Sequence, residues 1–357
     1  MIAFARPLWT WIAPIAGWIA LTGGKLGGPY ELVLAAALVA SVLAAVHHAE
    51  VVAHRVGEPY GALVLAVAVT VIEVALIVSI MLSAGGEASG VARDTVFAAV
   101  MIILTGLVGL CLLVGAVRHH EQVFGQEGVS AALATLAALA VLTMVLPNFT
   151  VSTPGPAYAS SQLAFVGAVS LVLYGVFVLI QTVRHRDYFL PKEAAIDASI
   201  HAEPPTNAAA WASLGLLVVS LGAVVLLAKG LAPTLETAVR SAGAPQAVVG
   251  VVIAALVLAP ESLAAVRAAR MNRLQTSLNL ALGSALASIG LTIPTVAVLS
   301  LVMGWPLALG LDGKSTVLLM LTLMVSTLSL GAGRTTVLQG VVHLVIFAVY
   351  LFTTVVP

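Results

Sequence analysis

GALVLAVAVTVIEVALIVSIM, residues 61–81, decides the fold. A helix of this length rises about 30 Å, the thickness of a bilayer's hydrocarbon core. Its single ionisable group is Glu73. A second stretch, AVVGVVIAALVLAPESLAAV at 247–266, has the same character and carries Glu261. A carboxylate at membrane depth costs several kcal/mol on lenient insertion scales (roughly 3), so an acid placed there marks a function. Here one such acid stands in each half of the chain.

Composition agrees with a membrane setting. Of 357 residues, 61% are hydrophobic and 8% charged, with a mean hydropathy of +1.12. Soluble domains carry about 25% charged residues. The chain therefore reads as an all-α polytopic protein whose principal partner is the lipid bilayer. Formal charge is zero, which gives nucleic acid no electrostatic footing. The one cysteine, Cys111, lies mid-span and has no intrachain partner for a disulfide. Trp9, Trp11, Trp18, Trp211 and Trp305 stand near span ends, as interfacial anchors do. Arg6 and the apolar run after it read as a retained first helix rather than a cleaved signal peptide.

At about 20 apolar residues per crossing, eleven spans are expected near 8–22, 31–49, 60–82, 95–117, 129–147, 161–183, 209–229, 245–266, 274–300, 305–329 and 335–355. Gly290, Pro294, Gly304 and Pro306 interrupt the ninth and tenth. The polar stretch 185–208 separates five spans from five. The expected organisation is a leading helix at 1–30, a first repeat at 31–184, a cytoplasmic linker at 185–208 and a second repeat at 209–357.

Lys and Arg set the orientation. Loops after even spans hold nine: Arg55, Arg118, Arg184, Arg186, Lys192, Arg267, Arg270, Arg273 and Arg334. Loops after odd spans hold five: Lys25, Arg93, Lys229, Arg240 and Lys314. The N-terminus is expected in the cytoplasm and the C-terminus in the periplasm of a bacterial inner membrane. Five spans per half force the second half to enter with opposite orientation. That is an inverted-topology repeat, the build of many secondary transporters, with the site at the midplane.

The surroundings of the acids suit a cation. Thr70 precedes Glu73 by three residues, on the same helix face. Pro260 precedes Glu261 and removes a helix hydrogen bond, freeing the Leu256 carbonyl. Carbonyl and carboxylate oxygens together suit Ca²⁺ or Na⁺. In the ninth span Ser284, Ser288 and Thr292 recur every four residues beside Gly283, a row that either lines a cavity or packs helices. Thr322 and Ser326 in the tenth span read as packing, and Thr105 in the fourth as a lining candidate. His47, Glu50 and His54 share one face of the second span, a spacing that could hold zinc. His343 reads equally as a satisfied packing residue or a proton relay.

At these residues the chain resembles the calcium/proton exchangers, the CAX family of the cation/Ca²⁺ exchanger superfamily, and within it the ChaA-type antiporters. The family's first motif, of the form G-G-L-L-N-A-T-F-G-N-A-x-E, matches 61–73 in length and sets Glu73 on its acid. The second runs through VLAPESLAAVRAARMNRLQTSLNLALGSALASIGLTIP, 257–294, supplying Glu261, Asn272, Gly283, Ser284 and Pro294 in order. LCLLVGAVRHHEQ at 110–122, QTVRHRDYF at 181–189 and GRTTVLQG at 333–340 extend the match. There are departures. Thr70 and Leu258 or Ala259 replace the motif asparagines, Gln339 stands where an acid is common, and the long acidic helix between halves is reduced to a short linker.

The resemblance implies a secondary antiporter that exports Ca²⁺, and Na⁺ or K⁺, against protons, with no enzyme activity and no bound cofactor. Glu73 and Glu261 would bind cation and protons in turn, assisted by Thr70, Thr105, Ser284 and Ser288, with Pro260, Gly283 and Pro294 shaping the helices. Two rival readings are a cation channel, for which no filter sequence is evident, and an intramembrane metalloenzyme built on His47, Glu50 and His54. The sequence leaves oligomeric state open.

Overall fold

The computed structural model of the chain describes residues 8–23, 28–57, 60–84, 89–190 and 205–356. The expectations for Arg6, Lys25 and the 191–204 part of the linker lie outside them. Eleven long helices carry the described chain. They are α1 Leu8–Thr22, α2 Tyr30–Val56, α3 Tyr60–Ala84, α4 Val91–His119, α5 Gln126–Phe149, α6 Ser160–Arg184, α7 Asn207–Ser241, α8 Ala247–Arg270, α9 Leu274–Met303, α10 Gly313–Leu330 and α11 Val337–Val355. Among the described residues nine are long and apolar enough to cross a membrane. Leu8–Thr22 and the Val67–Leu82 part of α3 are shorter apolar helices. The all-α polytopic reading holds. Only helices satisfy every backbone group within one segment in lipid.

Three boundaries differ from expectation. α7 continues to Ser241, so Lys229 and Arg240 lie on a helix rather than in a loop, and Pro233 is inside it. α9 passes unbroken through Gly290 and Pro294. A wide π turn at Ser288–Thr292 absorbs the irregularity, and Pro294 follows in the first turn of the resumed helix, where its missing N–H costs little. The tenth span starts at Gly313, not 305, because Gly304 ends α9 in the left-handed conformation at φ 67°. Several expected loop arginines belong instead to last helical turns: Arg55 in α2, Arg118 in α4, Arg184 in α6, Arg267 and Arg270 in α8. A cation there complements the helix dipole.

The described chain forms two compact units, each drawing on both halves of the sequence. The first comprises Met1–Ala88 and Asp197–Val249, and the second Ser89–Ile196 and Gly250–Pro357. In the first, α2 packs along α7, and α1 and α3 pack on both. Gly17 permits this closeness: a Cβ there would lie 2.7 Å from Ser41 Oγ. Ala20, Leu34, Ala223 and Leu227 are buried together. A few polar ties accompany the apolar contacts. Trp18 Nε1 donates to Val219 O (3.1 Å), Tyr30 hydroxyl to Ala20 O (2.8 Å), and Ser79 hydroxyl to Ala75 O (2.6 Å) and Val225 O (3.3 Å).

The second unit is sewn together at both ends. At one end lie the loops after α4, α6, α8 and α10. Strand β1 (Gln122–Val123) pairs antiparallel with β2 (Arg334–Thr335), a ribbon the sequence did not suggest. Gln122, 2% exposed, donates from Nε2 to Ala269 O (3.1 Å) and Asn272 Oδ1 (2.9 Å). Gln275 Oε1 accepts from Gly125 N–H (2.6 Å), its Nε2 donates to Asn279 Oδ1 (3.0 Å), and Asn279 Nδ2 donates to Phe189 O (2.5 Å). At the other end meet the loops after α3, α5 and α9. Ala308 N–H donates to Ser89 O (3.1 Å), Arg93 to Gly310 O (3.1 Å), Gly310 N–H to Pro156 O (2.9 Å), and Asn148 Nδ2 to Leu311 O (2.6 Å). Within this unit the loops after α4, α6, α8 and α10 thus gather at one end and those after α3, α5 and α9 at the other, as alternating crossings require.

Candidate ion-binding site

In the first unit, Glu73 is 2% exposed on α3 and Thr70, one turn earlier, is 5% exposed. Both lie on the side of α3 that carries Ile72, Leu76 and Ile77, while Val67 and Val71 point outward. The i, i+3 spacing therefore does put hydroxyl and carboxylate in the same buried region. Ser79, two turns on, ties the same helix to α7 through Val225.

In the second unit, Glu261 is 9% exposed on α8. That helix is held near both ends. A Cβ on Gly250 would stand 2.9 Å from the Asp94 carbonyl carbon, so α8 meets α4 backbone to backbone. Near its C-terminus the Ala269 carbonyl receives Gln122. Between these anchors lies Pro260, inside a helix that runs on to Arg270. The proline does not break α8. What it does is deprive the Leu256 carbonyl of its usual donor, one turn before the acid.

Among the described residues, π turns interrupt helices at Ile102–Leu107, Val141–Val145 and Ser288–Thr292, and one ends α6 at Ile180–Arg184. Such bulges are rare and recur at functional sites. Two of them face one another's helices. α9 packs on the π turn of α4, and α4 packs on the π turn of α9. These turns carry Thr105 and Ser288, so two expected site residues are on neighbouring segments. Thr105 is fully buried, and its hydroxyl donates back to Met101 O on its own helix. Its lone pairs are what it can still offer a ligand. Ser288 is 3% exposed and Ser284 half-buried. Four residues overshoot an α-turn by about 40°. The wider π turn swings Thr292 back, so the hydroxyl row stays over one face. Thr292 is fully buried, and its hydroxyl has no hydrogen-bond partner among the described residues. Beside this row, a Cβ on Gly283 would meet nothing within 4 Å. Pro294 packs instead against Gly167 of α6.

Two sequence readings change here. The zinc arrangement does not form: among the described residues no group of three or more His, Cys, Asp or Glu could hold a metal ion. His48, not its neighbours, is the buried ring, and its Nε2 bonds Thr10 O of α1 at 3.0 Å, while His47 lies edge-on to it and beside Trp9. His343 is fully buried, with one nitrogen on Leu104 O and the other on Ser329 Oγ. The amide pairs Gln122–Asn272 and Gln275–Asn279 escaped sequence reasoning. The available signal was the grouping of Asn272, Gln275 and Asn279 within eight residues of the 257–294 stretch. Gln339 caps α11, accepting from Thr336 N–H at 2.9 Å.

Comparison with known proteins now settles the family. Residues 30–183 and 212–356 match the family described as sodium/calcium exchanger protein. The chain belongs to that family. It is 53% identical over 357 residues to y4hA of Sinorhizobium fredii, named as an ionic transporter, covering 98% of this chain and 97% of the relative. It is 36% identical over 319 residues to the sodium-potassium/proton antiporter ChaA of Escherichia coli, covering 88% and 86%. Its fold resembles that of native YfkE, with a TM-score of 0.74 at 17% identity over 98% of this chain and 100% of that one. This exchanger is an ion antiporter, not an enzyme.

Proposed function

We infer that this antiporter exchanges Ca²⁺, and Na⁺ or K⁺, for protons by alternating access. The observation that carries the reading is the pair of buried acids, Glu73 and Glu261, each the sole carboxylate in an apolar helix core. The two stretches that match the exchanger family contain one acid each. A carboxylate site binds either a cation or a proton, and that competition is sufficient to couple the two fluxes. Cation arrival expels protons, and proton binding releases the cation. Thr70 would assist Glu73. Thr105, Ser284 and Ser288 would supply further oxygens, with Gly283 leaving room beside them. The Leu256 carbonyl freed by Pro260 offers another oxygen near Glu261. The ChaA relative, named for sodium, potassium and protons, supports the monovalent part of the cation set. No cofactor takes part.

The charge asymmetry supports a bacterial inner-membrane location with the N-terminus and the 185–208 linker in the cytoplasm and the C-terminus in the periplasm. Acid-loaded inside-out vesicles test the function. Ca²⁺, Na⁺ and K⁺ should each be tried for collapse of the proton gradient, with Mg²⁺ as a control. A gradient that no cation collapses would refute cation/proton exchange. A periplasmic reporter signal from the linker would refute the orientation.

A further inference from the structure

We propose that His343 is a positioning residue of this exchanger, fixing the π turn of α4 that carries Thr105. The proposal builds on the reading of Thr105 as a site residue. The imidazole joins three helices. Its Nδ1 is 2.6 Å from Leu104 O, within the π turn, and its Nε2 is 2.7 Å from Ser329 Oγ on α10. A carbonyl can only accept, so Nδ1 carries the hydrogen, and Nε2 of the neutral ring accepts from the Ser329 hydroxyl. One neutral tautomer satisfies both contacts, which makes the ring a strut between helices.

The helix pair around it is built for close approach. A Cβ on Gly109 would lie 2.8 Å from His343 Cβ, and one on Gly340 2.6 Å from Leu113 N. Gly106 lies under Phe347, its Cβ position 3.2 Å from the ring. Three glycines thus let α4 and α11 touch along the stretch where α4 leaves regular helix. In that stretch Val108 N–H reaches back five residues to Ile103 O. The Leu104 carbonyl sits inside this widened turn, and the His343 bond holds it toward α11. Loss of the bond would let the turn relax and carry the adjacent Thr105 with it.

Asparagine and glutamine at position 343 separate the roles. The asparagine amide nitrogen sits as far along its side chain as Nδ1 and can still donate to Leu104 O. The glutamine amide reaches as far as Nε2, toward Ser329, and leaves Leu104 without its donor. Half-saturating Na⁺ and Ca²⁺ concentrations should be measured in vesicles matched for inserted protein. His343→Asn should stay within about twofold of wild type, while His343→Gln and His343→Leu should raise half-saturation about tenfold. The pH profile of exchange should keep its shape in His343→Asn. Asparagine no better than glutamine overturns the proposal, and a shifted profile in His343→Asn would assign the ring to proton transfer instead. If the leucine variant does not insert, the asparagine–glutamine contrast decides alone. Thr105→Ala in the same vesicles tests the underlying reading. Unchanged half-saturation there with an asparagine–glutamine split intact would remove Thr105 from the site and leave the strut standing.

Discussion

The two units hold their shape by different means. The first relies on apolar contacts between long helices, with a few ties such as Trp18 to Val219 and Ser79 to Val225. The second ties its loops at both ends with buried amides and backbone bonds, and bolts α4 to α11 through His343 and three glycines. Directional bonds specify one arrangement, whereas apolar packing of small residues tolerates adjustment. Each acid thus works from a different kind of mounting: Glu73 from a packed helix, Glu261 from a helix anchored at Gly250 and Ala269.

The largest test of that contrast removes the acids themselves. Glu73→Gln and Glu261→Gln should each abolish exchange in vesicles while the protein still inserts, since glutamine keeps the shape and loses the titration. Exchange surviving in either variant would remove that acid from the exchange mechanism.

Glycine substitutions come next. Alanine at Gly340 would drive a Cβ to 2.6 Å from Leu113 N, a backbone atom that cannot step aside. Alanine at Gly222 would bring one to 2.9 Å from the Trp18 ring, a side chain that can move. Overpacking costs about 1–3 kcal/mol. Gly340→Ala should reach that range in detergent thermal-unfolding assays, and Gly222→Ala should fall clearly below it. Equal losses would erase the distinction between the rigid and the adjustable unit.

Polar ties should rank the same way. Gln122→Leu strands the Ala269 carbonyl and Asn272, a loss of about 1–3 kcal/mol for buried partners. Ser79→Ala should cost under about 1 kcal/mol, because Ala75 O keeps its helical environment. Thermal stability of the purified variants reads both.

A pH-dependent effect belongs to Asp312, the N-cap of α10, whose carboxylate accepts from Ser315 N–H at 2.7 Å. Burial pushes its pKa up, but the Ser315 hydrogen bonds, with Lys314 and Arg93 nearby, outweigh it and hold the group below its usual 3.8. A depressed pKa stabilises the fold above the unfolded value, and that contribution is lost as pH falls through the folded one. Asp312→Ala should therefore cost about 1 kcal/mol at neutral pH. The gap from wild type should close below pH 3.8. A gap that persists there would mean the cap acts without its charge.

The least effect is expected in the linker. Deleting part of 191–204 while keeping the spans connected should leave half-saturation unchanged, because no long acidic segment remains there to bind a regulatory cation. A shift would show that the short linker still regulates.

Hydrophobic length and isolated charge made the helices, their number and the two acids legible from the sequence, because in lipid both are thermodynamic constraints on a single segment. Glu73 with Thr70 followed from helical spacing alone. Helix ends were misplaced where chemistry depends on partners. Lys229 and Arg240 lie on α7, and α10 begins only at Gly313, because residues before it serve neighbouring loops. The Gln122 bonds and the Leu104–His343–Ser329 bonds join residues that are 14 to 239 positions apart. No local pattern encodes such pairs. Local energetics fixed which segments enter the membrane. Tertiary packing decided which carbonyls, amides and hydroxyls were left to find one another inside it.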